Sequence, residues 1–317
     1  MPSSPTTPPP CCPVCDADMR RDVMADIWRC PACGYFGSTF AVAINEKNEA
    51  LDEGRRFDAL AAIRHVNFTT VLDRLLAIAE FPPNATALDV GCGHGWFLQA
   101  LSERGHHASG VEPDLYIAEI ARRAGHNVTV GFFPDALDAG ARFDAIFFHD
   151  VFEHLPDVNG IVENLKRHTT DVGWVVVNLP VSGGIFFRIA RLLAWLGITG
   201  PYRRLWQADM PSPHLSYFSA GTIGTLFAKH GFDLIDHGRL RSLTVRGLID
   251  RIRYDRNINP LAAYFYYIGT MALLPVLALL PADIRFFAFR KRAPQYAPLQ
   301  ARTVSTIPAT ISTIPKI

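Results

Sequence analysis

Charge is scarce in this chain. Only 19% of its 317 residues are Asp, Glu, Lys or Arg, and 31 basic residues against 30 acidic leave a net charge of +1. A protein that coats nucleic acid neutralises many phosphates with surplus Lys and Arg, so the balance argues against that class. Cysteine is also sparse. Five of the six lie between Cys11 and Cys33, too few and too clustered for a secreted disulfide scaffold. The opening MPSSPTTPPP lacks both a basic start and an apolar run, so no secretory signal is read there and a cytoplasmic, reducing setting is expected. In that setting a cysteine cluster more often binds metal. No internal repeat is visible. What is abundant is apolar: 49% hydrophobic residues guarantee a sizeable core and exclude wholesale disorder. The mean hydropathy of +0.12 is high for a plain soluble enzyme and points to apolar surface for a membrane or a partner.

Residues 1–10 are Pro/Ser/Thr-rich and expected to be disordered, as is the Pro/Thr/Ala-rich tail over 293–317. A cysteine module occupies 11–40. A helix is predicted over Phe57–Ala79, with Leu60, Ile63, Phe68, Val71, Leu72, Leu75 and Leu76 at helical spacing. Strands then alternate with short helices. Strands are read at Thr86–Val90, His107–Val111, Val128–Phe132, Phe143–Phe148, Trp174–Asn178, Phe232–Asp236 and Ile284–Arg290. Helices are read at Trp96–Arg104, Leu115–Ala124 (N-cap Asp114), Val158–His168 and Ala220–His230 (N-cap Ser219). The pattern is α/β: a doubly wound, mostly parallel sheet over 55–292, with an insertion at 181–218 and an apolar, basic segment at 239–282.

Cys12-Pro13-Val14-Cys15 and Cys30-Pro31-Ala32-Cys33-Gly34 form two C-x-x-C knuckles fourteen residues apart. Two thiolates on each tight turn make a closed, tetrahedral, structural Zn²⁺ site from Cys12, Cys15, Cys30 and Cys33. A redox pair is the competing reading, and Cys11 is a spare. Farther on, Leu88-Asp89-Val90-Gly91-Cys92-Gly93-His94-Gly95 joins a strand to a helix. Alternating glycines let backbone approach a ligand that a Cβ would exclude, beside the free N–H groups of a helix start. Glu112, twenty-one residues after Gly91, can accept both hydroxyls of a ribose. The G-x-G-x-x-G fingerprint needs a third glycine where Trp96 stands, so a nucleoside without phosphates suits the turn better than a dinucleotide.

Leu88–Gly95 with Glu112, the stretch from Phe143 to Leu155 ending in Glu153-His154-Leu155, and His214-Leu215-Ser216-Tyr217-Phe218-Ser219 resemble the class I S-adenosylmethionine-dependent methyltransferases. The branch most similar includes the ubiquinone-pathway O-methyltransferases. The resemblance spans roughly 57–292 and implies a seven-stranded Rossmann-like sheet. It implies S-adenosylmethionine as methyl donor, with Asp89, Gly91, Cys92 and Gly93 around its methionine part and Glu112 on its ribose. Phe132 would pack on the adenine, and His149 would sit beside the sulfonium. Zinc ribbons precede this domain in several relatives, some acting on nucleotide sugars or glycans and others on ribosomal RNA.

An oxygen nucleophile needs a base near neutral pH, and His154 and His214 are the candidates. Each could equally shape the pocket as a hydrogen-bonded or packing histidine, and Glu153, His154 and His214 could together hold a metal. The expected reaction is O-methylation of a small-molecule, glycan or lipid-linked acceptor. C-methylation of a nucleotide sugar, RNA methylation, and a non-catalytic docking module that only binds the cofactor are the alternatives. No charged residue falls between Asn257 and Ala282, while six Arg lie in 239–256 and Arg285, Arg290, Lys291 and Arg292 follow. Basic flanks at both ends suit peripheral contact with the inner face of a membrane through 185–196 and 261–282. A buried or homodimer-forming helix is the competing reading.

Overall fold

The computed structural model describes residues 10–43, 53–78, 81–245, 248–253 and 259–292. Of the segments expected to be disordered, 1–10 and 293–317, all but residue 10 lie outside them. Chain order is β1 (Arg20–Arg21), β2 (Ile27–Arg29), β3 (Phe36–Ser38), α1 (Glu53–Ile78), β4 (Thr86–Val90), α2 (Trp96–Ser102), β5 (His107–Glu112), α3 (Leu115–Arg123), β6 (Asn127–Val130) and β7 (Phe143–His149). There follow α4 (Val158–His168), β8 (Thr169–Pro180), α5 (Ile185–Trp195), α6 (Gly200–Leu205), β9 (Ser216–Tyr217), α7 (Ala220–Lys229), β10 (Phe232–Leu240), α8 (Leu248–Arg253), α9 (Pro260–Leu279) and β11 (Ile284–Lys291).

Seven strands form one sheet in the order β10-β11-β8-β7-β4-β5-β6. β4, β5, β6, β7 and β8 pair in parallel, and β11 runs antiparallel between β8 and β10. The order reverses between β4 and β7, which opens a crevice at their carboxyl ends, where ligands of such sheets bind. The central strands are apolar on both sides because helices cover both faces. In β7, Ile146 and Phe148 join one core with Val162, Leu165, Ile223 and Phe227, while Ala145 and Phe147 join another with Val71, Leu72, Phe97 and Leu101. Side-chain caps start the helices: Asp114 accepts from the amides of Tyr116 and Ile117, and Ser219 from that of Thr222.

Several strand boundaries differ from the sequence reading, most of all that of β8, read at Trp174–Asn178 and running over Thr169–Pro180. The third strand of the large sheet stops at Val130 rather than Phe132, because Gly131 takes φ +141° and turns the chain out of the ladder. β10 runs on to Leu240, paired with β11 along its length. The cysteine module also has more company than its sequence suggests. Its three strands continue into β9, through Phe36↔Tyr217 and Gly37↔Ser216, so a piece of the 181–218 insertion completes its sheet. Cys12, Val14, Met19, Trp28, Cys30 and Tyr35 pack in the same core as Phe218 and Phe227. α9 is not a buried helix: only 6% of its apolar 18-residue window lies inside the protein.

Candidate active site

The glycine turn after β4 and the end of β5 make one pocket wall. Gly91, Gly93 and Gly95 all have positive φ, which an L side chain adopts at a cost. A Cβ on Gly91 would meet Val151 and one on Gly95 would meet His126, whereas Gly93 faces open space. Glu112 holds the turn in shape. One carboxylate oxygen accepts from the Gly93 amide at 2.8 Å and the other from the Asp114 amide at 3.0 Å. A carboxylate has about four lone-pair sites, so both oxygens keep capacity for a diol. Burial raises the Glu112 pKa, and those two amides pull it back. Asp89 is buried with one oxygen lacking any partner among the described residues; burial and the Glu112 charge hold its pKa well up. Two under-satisfied carboxyls around a left-handed glycine turn fit a cationic nucleoside that carries a ribose diol.

Phe132 projects from the turn after β6 and is 57% exposed, open to stacking, while Phe133 beside it is buried against Phe148. Cys92 points inward: its sulfur would lie 2.5 Å from a Cβ on Gly110, so it packs the turn against β5. His149 was expected beside the sulfonium. The structure encloses its ring with Phe68, Phe97 and Phe147, and its Nδ1 pairs with Asn178. Burial drives its pKa down to about 3. Asn178 in turn donates to Asp150, whose φ is +55°. His149 therefore anchors the crevice from below, as a neutral ring.

Past β7, a single helical turn at Phe152–His154 meets the loop that precedes β9. Donor atoms of Glu153, His154 and His214 all lie within 4.8 Å of one another, and the two rings stand 4.8 Å apart. The Leu215 amide bonds the Glu153 carbonyl at 2.7 Å, tying the two loops together. His154 Nδ1 lies 2.8 Å from the carbonyl of Pro213. A carbonyl only accepts, so Nδ1 carries the proton and Nε2 carries the lone pair. His214 is placed differently. The Tyr217 hydroxyl donates to the Leu205 carbonyl, so His214 Nδ1–H donates to Tyr217, and Nε2 accepts from the Gln207 amide. Burial, with His154 alongside, holds His214 neutral with a pKa well below the usual range. Glu153 is 1% exposed with one unpartnered oxygen, and burial beside Asp150 raises its pKa strongly.

Three members of this site escape a sequence reading. Arg64 on α1 lies 4.0 Å from Asp150 and lowers the pKa of Asp89, Glu112 and Glu153. Gln207 holds His214 from a left-handed backbone position, φ +49°. Asn178 links His149 to Asp150. The first two sit in elements without a motif, and only the folded chain brings them in; Asn178 at the end of an apolar strand was a visible cue.

In the cysteine module, the sulfurs of Cys12, Cys15, Cys30 and Cys33 lie within 4.8 Å of one another, with pairs at 3.6 and 3.4 Å. Four sulfurs at ~2.3 Å from one tetrahedral ion would be ~3.8 Å apart, so the set fits such an ion. Burial raises Cys12, and raises Cys33 to about 11. Burial also acts on Cys30, but the Cys33 amide and the neighbouring thiols outweigh it and lower Cys30 to about 7. Cys11 is exposed and bonds the Asp16 carbonyl outside the cluster.

A family model described as a methyltransferase domain matches residues 60–237, more than half of the chain. The ubiquinone biosynthesis O-methyltransferase of Leptothrix cholodnii is 29% identical over 99 residues, 29% of this chain and 42% of that protein. The C-methyltransferase NovU of Streptomyces niveus is 22% identical over 184 residues, 56% of this chain and 40% of that protein. The chain thus spans about two fifths of the length of these curated relatives. A SAM-dependent methyltransferase from Thermotoga maritima shares the fold, with a TM-score of 0.50 and 15% identity over 76% of this chain and 95% of that one. With its glycine turn, the carboxylate of Glu112 beside it and its seven-stranded sheet, the chain belongs to the methyltransferase domain family, of the class I S-adenosylmethionine-dependent kind.

Proposed function

We propose that the chain methylates an oxygen of a small-molecule, glycan or lipid-linked acceptor, with His154 as the base. The observation that carries this is the Pro213 carbonyl, which leaves the lone pair of His154 on Nε2. His154 lies beyond β7 at the same sheet edge as the glycine turn after its neighbour β4. Bound S-adenosylmethionine supplies a methyl group on a cationic sulfur that departs neutral. Asp89 and Glu112 would hold its charged and ribose ends, and Phe132 its base. The protein's remaining work is alignment and exclusion of water. His154 takes the hydroxyl proton. His214, fixed by Tyr217 and Gln207, packs edge-on against His154 and sets its plane. Cys12, Cys15, Cys30 and Cys33 hold a structural Zn²⁺. Carbon methylation, the activity named for NovU, would need the same base.

The unpartnered oxygen of Glu153 supports a second reading, a divalent cation held by Glu153, His154 and His214. One experiment separates the two. His154→Ala should keep cofactor affinity by calorimetry and lose turnover by ~100-fold, the usual worth of a general base. Full turnover in that variant removes the base. Strict dependence on an added divalent metal, with the four-cysteine site already loaded, moves the assignment to the cation.

A further inference from the structure

α9 is twenty residues long and carries no charged side chain. Leu261, Phe265, Ile268, Val276 and Leu279 fall within about 80° on its wheel, from the 100° step per residue. Each is more than half exposed. Ala263, Tyr267, Thr270, Leu274 and Leu277, on the opposite side, are buried or half-buried. The helix thus lies along the domain with one face against it, and its outward face is the apolar one. A helix facing water has the reverse pattern. Its end is tied down: the Ile185 amide bonds the Pro281 carbonyl, and β11 enters the sheet three residues later. Its start follows α8, which packs on both α9 and α1. A helix fastened to one domain at both ends lies in an interface rather than crossing it.

Two occupants could cover such a face, a bilayer or a second copy, and the charges distinguish them. Arg253 sits over the Tyr264 ring at the start of α9. At its end, Arg239 and Arg285 face each other across β10 and β11 and line a cleft of about 280 Å³ with Val181, Ser219 and Pro281. Like charges directly opposite in a ladder repel. The Nε of Arg285 is buried without a partner among the described residues, while its Nη2 donates to His237 and Arg239 donates to the Leu280 carbonyl. A second copy, in either orientation, would set one basic end against another. An anionic surface neutralises both. α5, whose first residue bonds the segment after α9, carries exposed Ile189, Leu192, Trp195 and Leu196 as well.

We propose that the outward face of α9 seats on an anionic lipid bilayer, with the Arg239–Arg285 cleft taking a lipid phosphate at the membrane boundary. The cleft lies at the sheet edge that carries the active site, since Val181 follows β8 and Arg285 begins β11. Docking there would bring the catalytic edge to a lipid-borne acceptor. The inference stands apart from the assignment of His154.

The test is vesicle co-sedimentation of the zinc-loaded full chain, with phosphatidylcholine alone and with phosphatidylglycerol added. Binding should require the anionic lipid and weaken with salt. Phe265→Asp should abolish it, and Arg239→Gln and Arg285→Gln should each weaken it about fivefold, all three with unchanged cofactor affinity. No pelleting with either vesicle overturns the proposal, as does equal binding to both. A dimer in light scattering that Phe265→Asp dissociates also overturns it, in favour of a second copy.

Discussion

Zinc removal should disable the active site through β9 rather than through the cofactor pocket. Besides the β3–β9 ladder, three hydrogen bonds join the cysteine module to residues 214–216: Ser38 N–H to the Leu215 carbonyl at 2.9 Å, Ser38 Oγ to the His214 carbonyl at 2.8 Å, and Tyr35 with Ser216 at 2.6 Å between hydroxyls. At about 1 kcal/mol net for each, they hold residues 214–216 closed by about 3 kcal/mol. A module this small depends on its metal, which is worth about 10 kcal/mol or more in isolated zinc modules. In Cys30→Ser, or after chelation, the three bonds go together. Hydrogen exchange of the 214–217 amides should then accelerate by about 100-fold, the equivalent of 3 kcal/mol. Turnover should fall by a similar factor, since a 1 Å displacement of catalytic groups costs about 100-fold. Cofactor affinity should not change, because Asp89 and Glu112 lie on β4 and β5. Tyr35→Phe gives a milder version that leaves the Ser216 hydroxyl buried without its partner, and Tyr35→Phe with Ser216→Ala should recover most of the loss. Unchanged exchange at 214–217 in a zinc-free protein, or full turnover without zinc, refutes the reasoning.

Glu112→Ala removes the acceptor for the Gly93 and Asp114 amides as well as for a ribose. It should weaken cofactor binding by about 100-fold in calorimetry, since two charge-assisted hydrogen bonds contribute about 1.5 kcal/mol or more apiece. Gly91→Ala puts a Cβ 2.5 Å from a Val151 methyl at φ +70° and should lower stability by about 2–4 kcal/mol in urea; adding Val151→Ala should return the steric part but not the backbone part. His149 makes stability pH-dependent. Its folded pKa is about 3 against about 6.5 unfolded, so between those values the unfolded chain binds the extra proton and stability rises with pH. From full contribution above pH 6.5, about 1.4 kcal/mol is lost per unit of acidification, about 3 kcal/mol by pH 4.5. Urea midpoints should show a shallower acid slope in His149→Gln, and an identical slope would remove the assignment.

Elements that rest on local signals could be read without coordinates. The apolar strand at Phe143–Phe148, the glycine turn, the Asp114 and Ser219 caps and the two knuckles each lie within a dozen residues, and the folded chain keeps them where the pattern puts them. The third strand was read two residues too long because apolar Phe132 and Phe133 continue the pattern while Gly131 breaks the backbone. Pairings across long stretches left no periodic trace. Nothing in Phe36-Gly37-Ser38 announces Ser216 and Tyr217 as partners, and the strand itself is three residues long. The tautomer of His154 depends on a carbonyl fifty-nine residues away, and the charge near Asp150 comes from a helix that precedes the whole sheet. For α9, hydropathy showed an apolar helix, and only the packing showed which side faces outward.

The shared ladder between β3 and β9 also sets a timetable for synthesis. Gly37 leaves the ribosome 216 − 37 = 179 residues ahead of its neighbour Ser216. At ~5–20 residues per second that is a wait of ~10–40 s. The cysteines can capture their ion early in that interval, but the edge of β3 stays uncovered until nearly the whole nucleoside-binding half has been made. Metal capture by the four cysteines would thus be an opening act of biogenesis, and the pairing of β9 with β3 one of the last.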